Sequence, residues 1–145
     1  MSWEESKVLF SVIVPMLNEK TNIRLLNKSL KNQSFKDFEV ICVDNGSRDG
    51  GLGLIQKLFK GQKHRHAIRC NIDKNSYVAR MMGARKAKAD WLVFLDADCM
   101  PERNWLKNAY SLIQSHKLDS IAGEILNDPS TNGIFKHYDL FSLTK

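Results

Sequence analysis

The sequence predicts an α/β fold, a mainly parallel β-sheet with helices on both faces. Short runs rich in β-branched and aromatic residues alternate along the chain with segments whose apolar residues recur every three or four positions. The run Trp91-Leu92-Val93-Phe94-Leu95 is apolar throughout, the pattern of a strand buried on both faces of a parallel sheet. Strands alternating with helices imply right-handed βαβ crossovers, which place the helices on the sheet faces.

Residues 8–15, VLFSVIVP, read as the first strand, closed by Pro15. A loop through Asn18 and Glu19 follows, and Asn18 or Thr21 is a candidate cap for a helix that presents Ile23, Leu26 and Leu30 on one side and ends near Asn32. Residues 38–43, FEVICV, form a second strand, and the Gly-, Asn- and Asp-rich stretch 44–51 forms a dense turn. Leu54, Ile55, Leu58 and Phe59 mark a short helix. A basic loop over residues 60–65 leads to a weak third strand at 67–70. Asn75 or Ser76 caps a helix through Ala79, Met82, Gly83 and Ala87. After the central strand, Pro101 suits the first turn of a helix carrying Trp105, Leu106, Ala109, Leu112 and Ile113. Residues 120–126 read as a further strand, 127–133 as a loop, and 134–143 as a last helix with Phe135, Tyr138 and Phe141 on one side.

A chain of 145 residues is expected to form one domain, residues 1–145, large enough to bury a core. Apolar content of 43% with 26% charged residues is that of a soluble globular protein, and no apolar stretch reaches membrane-spanning length. The polar N-terminus is not a secretory signal. Three widely spaced cysteines, Cys42, Cys70 and Cys99, argue for reduced thiols in a cytoplasmic setting rather than a disulfide frame or zinc site, with Cys42 and Cys70 as core filler. The net charge of +6 comes largely from residues 57–69 and from Arg80, Arg85, Lys86 and Lys88. It suits solvated helix faces, an anionic surface or a phosphorylated substrate; a nucleic-acid role is not expected, because no aromatic residues interleave with the charges. His64 and His66, two apart with no third ligand nearby, read as surface histidines.

The polar motifs gather at strand ends. Asn18 and Glu19 follow the first strand, Asp44 to Asp49 the second, and Asp96 and Asp98 the central one. In a parallel sheet these tips share one edge, where ligands of open α/β sheets bind. Residues two apart in extended chain point the same way, so Asp96 and Asp98 can face one site. Two close carboxylates want a cation between them, and hard ions such as Mg²⁺ or Mn²⁺ bridge carboxylates to phosphates. Taken alone, Asp-x-Asp fits a solvated acidic loop better than a metal site; the convergence of three tips carries more weight. No Gly-rich dinucleotide fingerprint and no P-loop follows any strand.

Taken together, FSVIVP at 10–15 with Asn18-Glu19, VDNGSRD at 43–49, Ala79-Arg80 with Gly83, and FLDAD at 94–98 resemble family 2 of the inverting glycosyltransferases over roughly residues 8–126. The resemblance implies a Rossmann-like GT-A fold and a nucleotide-diphosphate-sugar donor, UDP-linked. By that resemblance Pro15, Asn18 and Glu19 line the nucleoside pocket, and Asp44 accepts from the base. Ser47 and Asp49 shape its loop, and Arg80 neutralises a phosphate or holds the Asp96 region. Asp96 contacts ribose or sugar, and Asp98, with Asp96, holds Mg²⁺ or Mn²⁺. Met81 stands where the family often has Asn, and Cys99 where it often has an acid. The catalytic base is expected outside this chain, in an acceptor half that the 145 residues do not include; Glu124 and Asp128 are acidic candidates within the chain, neither assigned as the base. The implied activity is inverting, metal-assisted transfer to a glycan, lipid or protein acceptor, in the cytoplasm or peripherally at the inner membrane face, with a homodimer allowed. The alternative is a non-catalytic nucleotide-sugar-binding or regulatory module. A nucleotidyltransferase ranks below both, since no Gly-rich basic loop follows the first strand.

Overall fold

The computed structural model describes residues 8–72 and 75–123 and, beyond them, the backbone of three short strands. The elements are β1 (Phe10–Met16), α1 (Lys20–Lys31), β2 (Phe38–Asp44), α2 (Gly51–Phe59), β3 (Arg65–Arg69), α3 (Ser76–Lys86), β4 (Trp91–Phe94), α4 (Trp105–His116), β5 (Ser120–Ala122), β6 (Leu126–Asn127), β7 (Phe135–Lys136) and β8 (Asp139–Phe141). The main sheet runs β3-β2-β1-β4-β8-β5, and β6 pairs with β7 apart from it.

β1 is the axis. It pairs in parallel with β2 from Phe10↔Phe38 to Met16↔Asp44, and on its other side with β4 from Phe10↔Trp91 to Ile13↔Phe94. β3 extends the parallel sheet outward, with Asp44 in register with Arg69. Every residue of β1 and β2 is buried, as continuous apolar runs covered on both faces must be.

Strand alternation sorts the core into two layers. Val12, Val14 and Met16 face the layer that Ile23, Leu26 and Leu30 of α1, Ile55 and Phe59 of α2 and Leu106 and Ala109 of α4 complete. Ile13, Ile41, Val43 and Leu92 face the opposite layer, closed by Ala79 of α3. Helices thus cover both faces, with α3 the one helix on its side among the described residues. α3 can lie close because Gly83 has no side chain: a Cβ there would stand 2.4 Å from Ile13 Cγ2. At the opposite end of the sheet from the polar tips, the buried Glu39 carboxylate accepts from Ser11 Oγ (2.6 Å) and Lys88 N (2.7 Å), while Ala89 N donates to Ser11 Oγ (3.1 Å). These bonds fasten the entry into β4. Cys42 is buried in β2, and desolvation pushes its thiol up to about 12 against the pull of Arg65, so it stays protonated core filler.

Four expectations need correction. The segment expected to be a last helix, 134–143, instead contains β7 and β8. β8 inserts antiparallel between β4 and β5, through Leu92↔Phe141 and Ser120↔Phe141. Aromatic residues at three-residue spacing suit either state over ten positions, and the open ladder of β4 decides for a strand. The strand expected over 120–126 is two short ones, β5 and β6. Pro101 precedes α4 by four residues rather than entering its first turn. Neither Asn18 nor Thr21 caps α1: Glu19 holds the cap position, without a side-chain capping bond. The expected cap on α3 is present, with Asn75 Oδ1 accepting from Tyr77 N at 2.9 Å. Glu124 and Asp128 lie outside the described residues. Among the described residues no helix is long and apolar enough to cross a membrane.

The close approach of α3 gives a stability test. Gly83→Ala should destabilise the fold by about 1–3 kcal/mol, because the methyl meets Ile13 in a packed layer. Gly53→Ala, in α2 with open space around its Cβ position, should stabilise by about 0.5–1 kcal/mol. Urea midpoints of the two variants should move in opposite directions; a neutral Gly83→Ala would contradict the packing.

Candidate functional site

The edge at the C-terminal ends of β1, β2 and β4 collects the expected residues. Pro15 is buried within β1, level with Val43. The β1 ladder runs past its end, with Asn45 N donating to Met16 O at 2.8 Å and Leu95 N to Ile13 O at 3.0 Å. The β1 and β2 tips then lock together through side chains. Asn18 is in the left-handed region at φ 57°, which turns the chain towards the 44–51 loop. Its N–H donates to Ser47 Oγ (2.9 Å), and its Oδ1 accepts from Arg48 N (2.9 Å). Glu19 Oε2 accepts from Asn22 Nδ2 at 2.8 Å.

Asp44 is the floor of this loop. Its carboxylate is fully buried, accepts from Gly46 N and Ser47 N at 3.3 Å, and lies 3.4 Å from Arg69 Nη2. The Asp44 charge is therefore spent on shaping the loop and pairing with Arg69. Sequence reasoning missed Arg69. Its signal was position: it ends the neighbouring parallel strand in register with Asp44.

Asp49 does the work expected of a local cap. Oδ2 accepts from Lys20 N and Oδ1 from Gly51 N, both at 2.8 Å, so one carboxylate satisfies the first turns of both α1 and α2. The Lys20 N–H, ahead of Gly51 N–H and against some desolvation, holds the Asp49 carboxyl below the usual aspartate range.

At the β4 tip the chain is a turn rather than extended strand, closed by Cys99 N donating to Asp96 O at 3.0 Å. The period-2 argument for the two carboxylates therefore fails as geometry. Burial nevertheless alternates: Leu95, Ala97 and Cys99 are buried, while Asp96 and Asp98 are both partly exposed. Arg80, on α3, reaches across to Asp96 with Nη2 2.6 Å from Oδ1. Asp98 Oδ1 takes only a weak contact from Cys99 Sγ at 3.6 Å. The structure thus joins Asn18, Asp44 and Ser47 in one lattice and Arg80 with Asp96 in another, on one sheet edge, with Asp49 bonding the starts of α1 and α2 beside the first; Asp98 makes no hydrogen bond to either lattice among the described contacts.

The donor set at the turn suits a hard divalent ion. Asp98 offers carboxylate oxygens, Asp96 has one oxygen engaged by Arg80, and the buried Cys99 thiol is a soft, poor partner. No group of three or more His, Cys, Asp or Glu among the described residues could cage an ion. Such a turn fits an ion held by one or two carboxylates and completed by substrate phosphates and water, the habit of Mg²⁺.

Residues 11–144 match the family described as Glycosyl transferase family 2, and the chain belongs to it. A glycosyltransferase of Haloferax volcanii, AglE, is 30% identical over 135 residues, 91% of this chain and 44% of that protein. The S. aureus TarS fragment 1–349 in complex with UDP superposes with a TM-score of 0.76 at 25% identity, over 87% of this chain and 38% of that one. The same fragment with UDP-GlcNAc gives 0.72 at 26% identity, over 87% and 37%. These neighbours are GT-A type glycosyltransferases, and the α/β sheet described above is of that type. The chain spans less than half the length of the relatives it matches.

The double cap yields a pH prediction. Asp49→Ala should cost about 1 kcal/mol at pH 7. A lowered folded-state pKa stabilises above the unfolded value, so the wild-type advantage should be complete above the ordinary aspartate range and vanish as pH falls through the lowered value. Denaturation of both proteins at pH 7 and through the acid range reads the difference; an advantage that does not shrink as pH falls below the ordinary aspartate range contradicts the capping role.

Proposed function

We propose that the chain is the donor-binding part of an inverting glycosyltransferase that takes a UDP-linked sugar. The observation that carries this reading is the convergence on one sheet edge of a hydrogen-bonded polar loop and an acidic turn, with the Arg80–Asp96 pair at the turn. TarS, whose fragment superposes over most of this chain, binds UDP and UDP-GlcNAc, which supports the nucleotide.

In this reading the nucleoside sits on the β1 and β2 tips. Pro15, Asn18 and Glu19 form one wall, and the loop held by Asp44, Ser47 and Asp49 forms the other. Because the Asp44 carboxylate is buried, it meets a base only through rearrangement of that loop, with Arg69 its nearest charged neighbour. Asp96 lies towards ribose and sugar. Arg80 holds its carboxylate in place and sets a positive charge beside the diphosphate. Asp98, with Asp96, would hold Mg²⁺ or Mn²⁺, which supplies charge neutralisation of the departing diphosphate. The remaining requirement is a base that takes the acceptor hydroxyl proton as the nucleophile attacks the anomeric carbon. It belongs to the acceptor half, so the chain alone binds donor and transfers little or no sugar. The acceptor is a glycan, lipid or protein hydroxyl, and a membrane-surface station for the protein accords with the +6 charge.

Calorimetric titration tests the reading. UDP should bind more tightly with Mn²⁺ than without, and more tightly than GDP. Asp98→Asn should remove about tenfold or more of the Mn²⁺-dependent gain while leaving uridine binding unchanged. Metal-independent binding, or equal binding of UDP and GDP, would contradict it.

A further inference from the structure

We propose that Gln33 is a positioning residue for the acidic turn, acting through the segment that carries the turn into α4. The proposal rests on the donor-site reading above. Gln33 lies just past the end of α1, and its side chain is fully buried. Nε2 donates to Glu102 O at 2.7 Å and to Ser29 O at 3.4 Å, and Oε1 accepts from Leu106 N at 3.2 Å. One amide therefore ties the end of α1 both to the loop before α4 and to an N–H of the first turn of α4.

That N–H has no local cap. Asn104 occupies the cap position of α4 without a side-chain capping bond, and its Oδ1 instead accepts from Ser34 Oγ at 2.8 Å. Ser34 N adds a bond to Arg103 O at 2.8 Å, and the Phe35 ring stacks 5.3 Å from Tyr110. Residues 33–35 thus clamp 102–106 and the next turn of α4.

The acidic turn hangs from this clamp on a short tether. Only Cys99, Met100 and Pro101 separate Asp98 from Glu102. Cys99 and Pro101 are buried, and proline fixes its own φ. With β4 anchored at one end and the clamp at the other, the Asp98 carboxylate has little slack relative to the β1 and β2 tips. Loss of the amide leaves the buried Leu106 N–H without this partner and removes one of the bonds to the Glu102 carbonyl, which still accepts from Trp105 N; the start of α4 must shift or open to solvate the Leu106 N–H. Among the described contacts, the uridine side of the site, built on Asp44 and Asn18, has no hydrogen bond to Gln33.

Gln33→Met keeps the length of the side chain and removes its polar atoms. In the 145-residue chain it should cut the Mn²⁺-dependent gain in UDP affinity about fivefold, less than the tenfold or more that follows loss of a group bonded directly to a metal ligand, because Gln33 acts on the turn through Glu102 and Leu106. Uridine affinity should stay within about twofold. Amide exchange should accelerate over 97–106 and not over 44–51. Ser11→Ala, which loosens a buried polar contact at the opposite sheet edge, is the control for plain destabilisation. Equal losses in Gln33→Met and Ser11→Ala, or an unchanged Mn²⁺ gain in Gln33→Met, overturn the proposal. If Gln33→Met does not fold, Ser34→Ala removes only the Oγ contact to Asn104 and should lower the Mn²⁺ gain in the same direction, about two- to threefold; no change there overturns it. A wild-type chain without metal-dependent UDP binding overturns the donor-site reading and this proposal with it. Wild-type binding matched by Gln33→Met overturns this proposal alone.

Discussion

β1 is hydrogen-bonded on both sides, and those two parallel ladders place every residue of the site. The register Met16↔Asp44 brings the first two tips level, and Ile13↔Phe94 stops β4 three residues short of them, so its acidic turn folds up at the same edge. Shifting either ladder by one residue would exchange the faces of Val12 and Ile13 and break both core layers at once. The register is therefore held by apolar burial, and the polar edge inherits its geometry from the core.

Above that frame, two helices that follow strand tips borrow their caps from distant side chains. Asp49 satisfies the start of α1 as well as that of α2, and Gln33 bonds the start of α4. A cap drawn from another element does two jobs. It meets the helix N–H groups, and it fixes where one strand-end loop stands against its neighbour. The β1–β2 side of the edge is closed by the first cap and the β4 side by the second. Arg80 joins α3, on the opposite face of the sheet, to the same edge through Asp96.

How far the sequence could be read follows from which interactions are local. β1, β2 and β4 are runs of β-branched and aromatic residues, and their strand character needs no knowledge of neighbours. The Asn75 cap also acts within its own first turn. The polar tips were legible as a set because parallel topology alone gathers them. The expected caps Asn18 and Thr21 failed because the carboxylate that accepts from the first N–H of α1 stands 29 residues away, on a loop whose path sequence does not state. Arg69 became visible only through its register with Asp44. Residues 134–143 were misread because β8 answers to the open edge of β4 rather than to its own periodicity. The Asp96–Cys99 turn differs from extended chain by one backbone hydrogen bond, which no residue in it demands.

The central claim is that three strand tips form one nucleotide-diphosphate site. Its most direct test is amide NMR of the chain titrated with UDP, followed by Mn²⁺ as a paramagnetic probe. The account predicts UDP-induced shifts at 15–19 and 44–49 together, and Mn²⁺ broadening centred on 96–99 that reaches those segments only in the presence of UDP. Shifts confined to one tip, or gathered on the basic stretch 57–69, would contradict it.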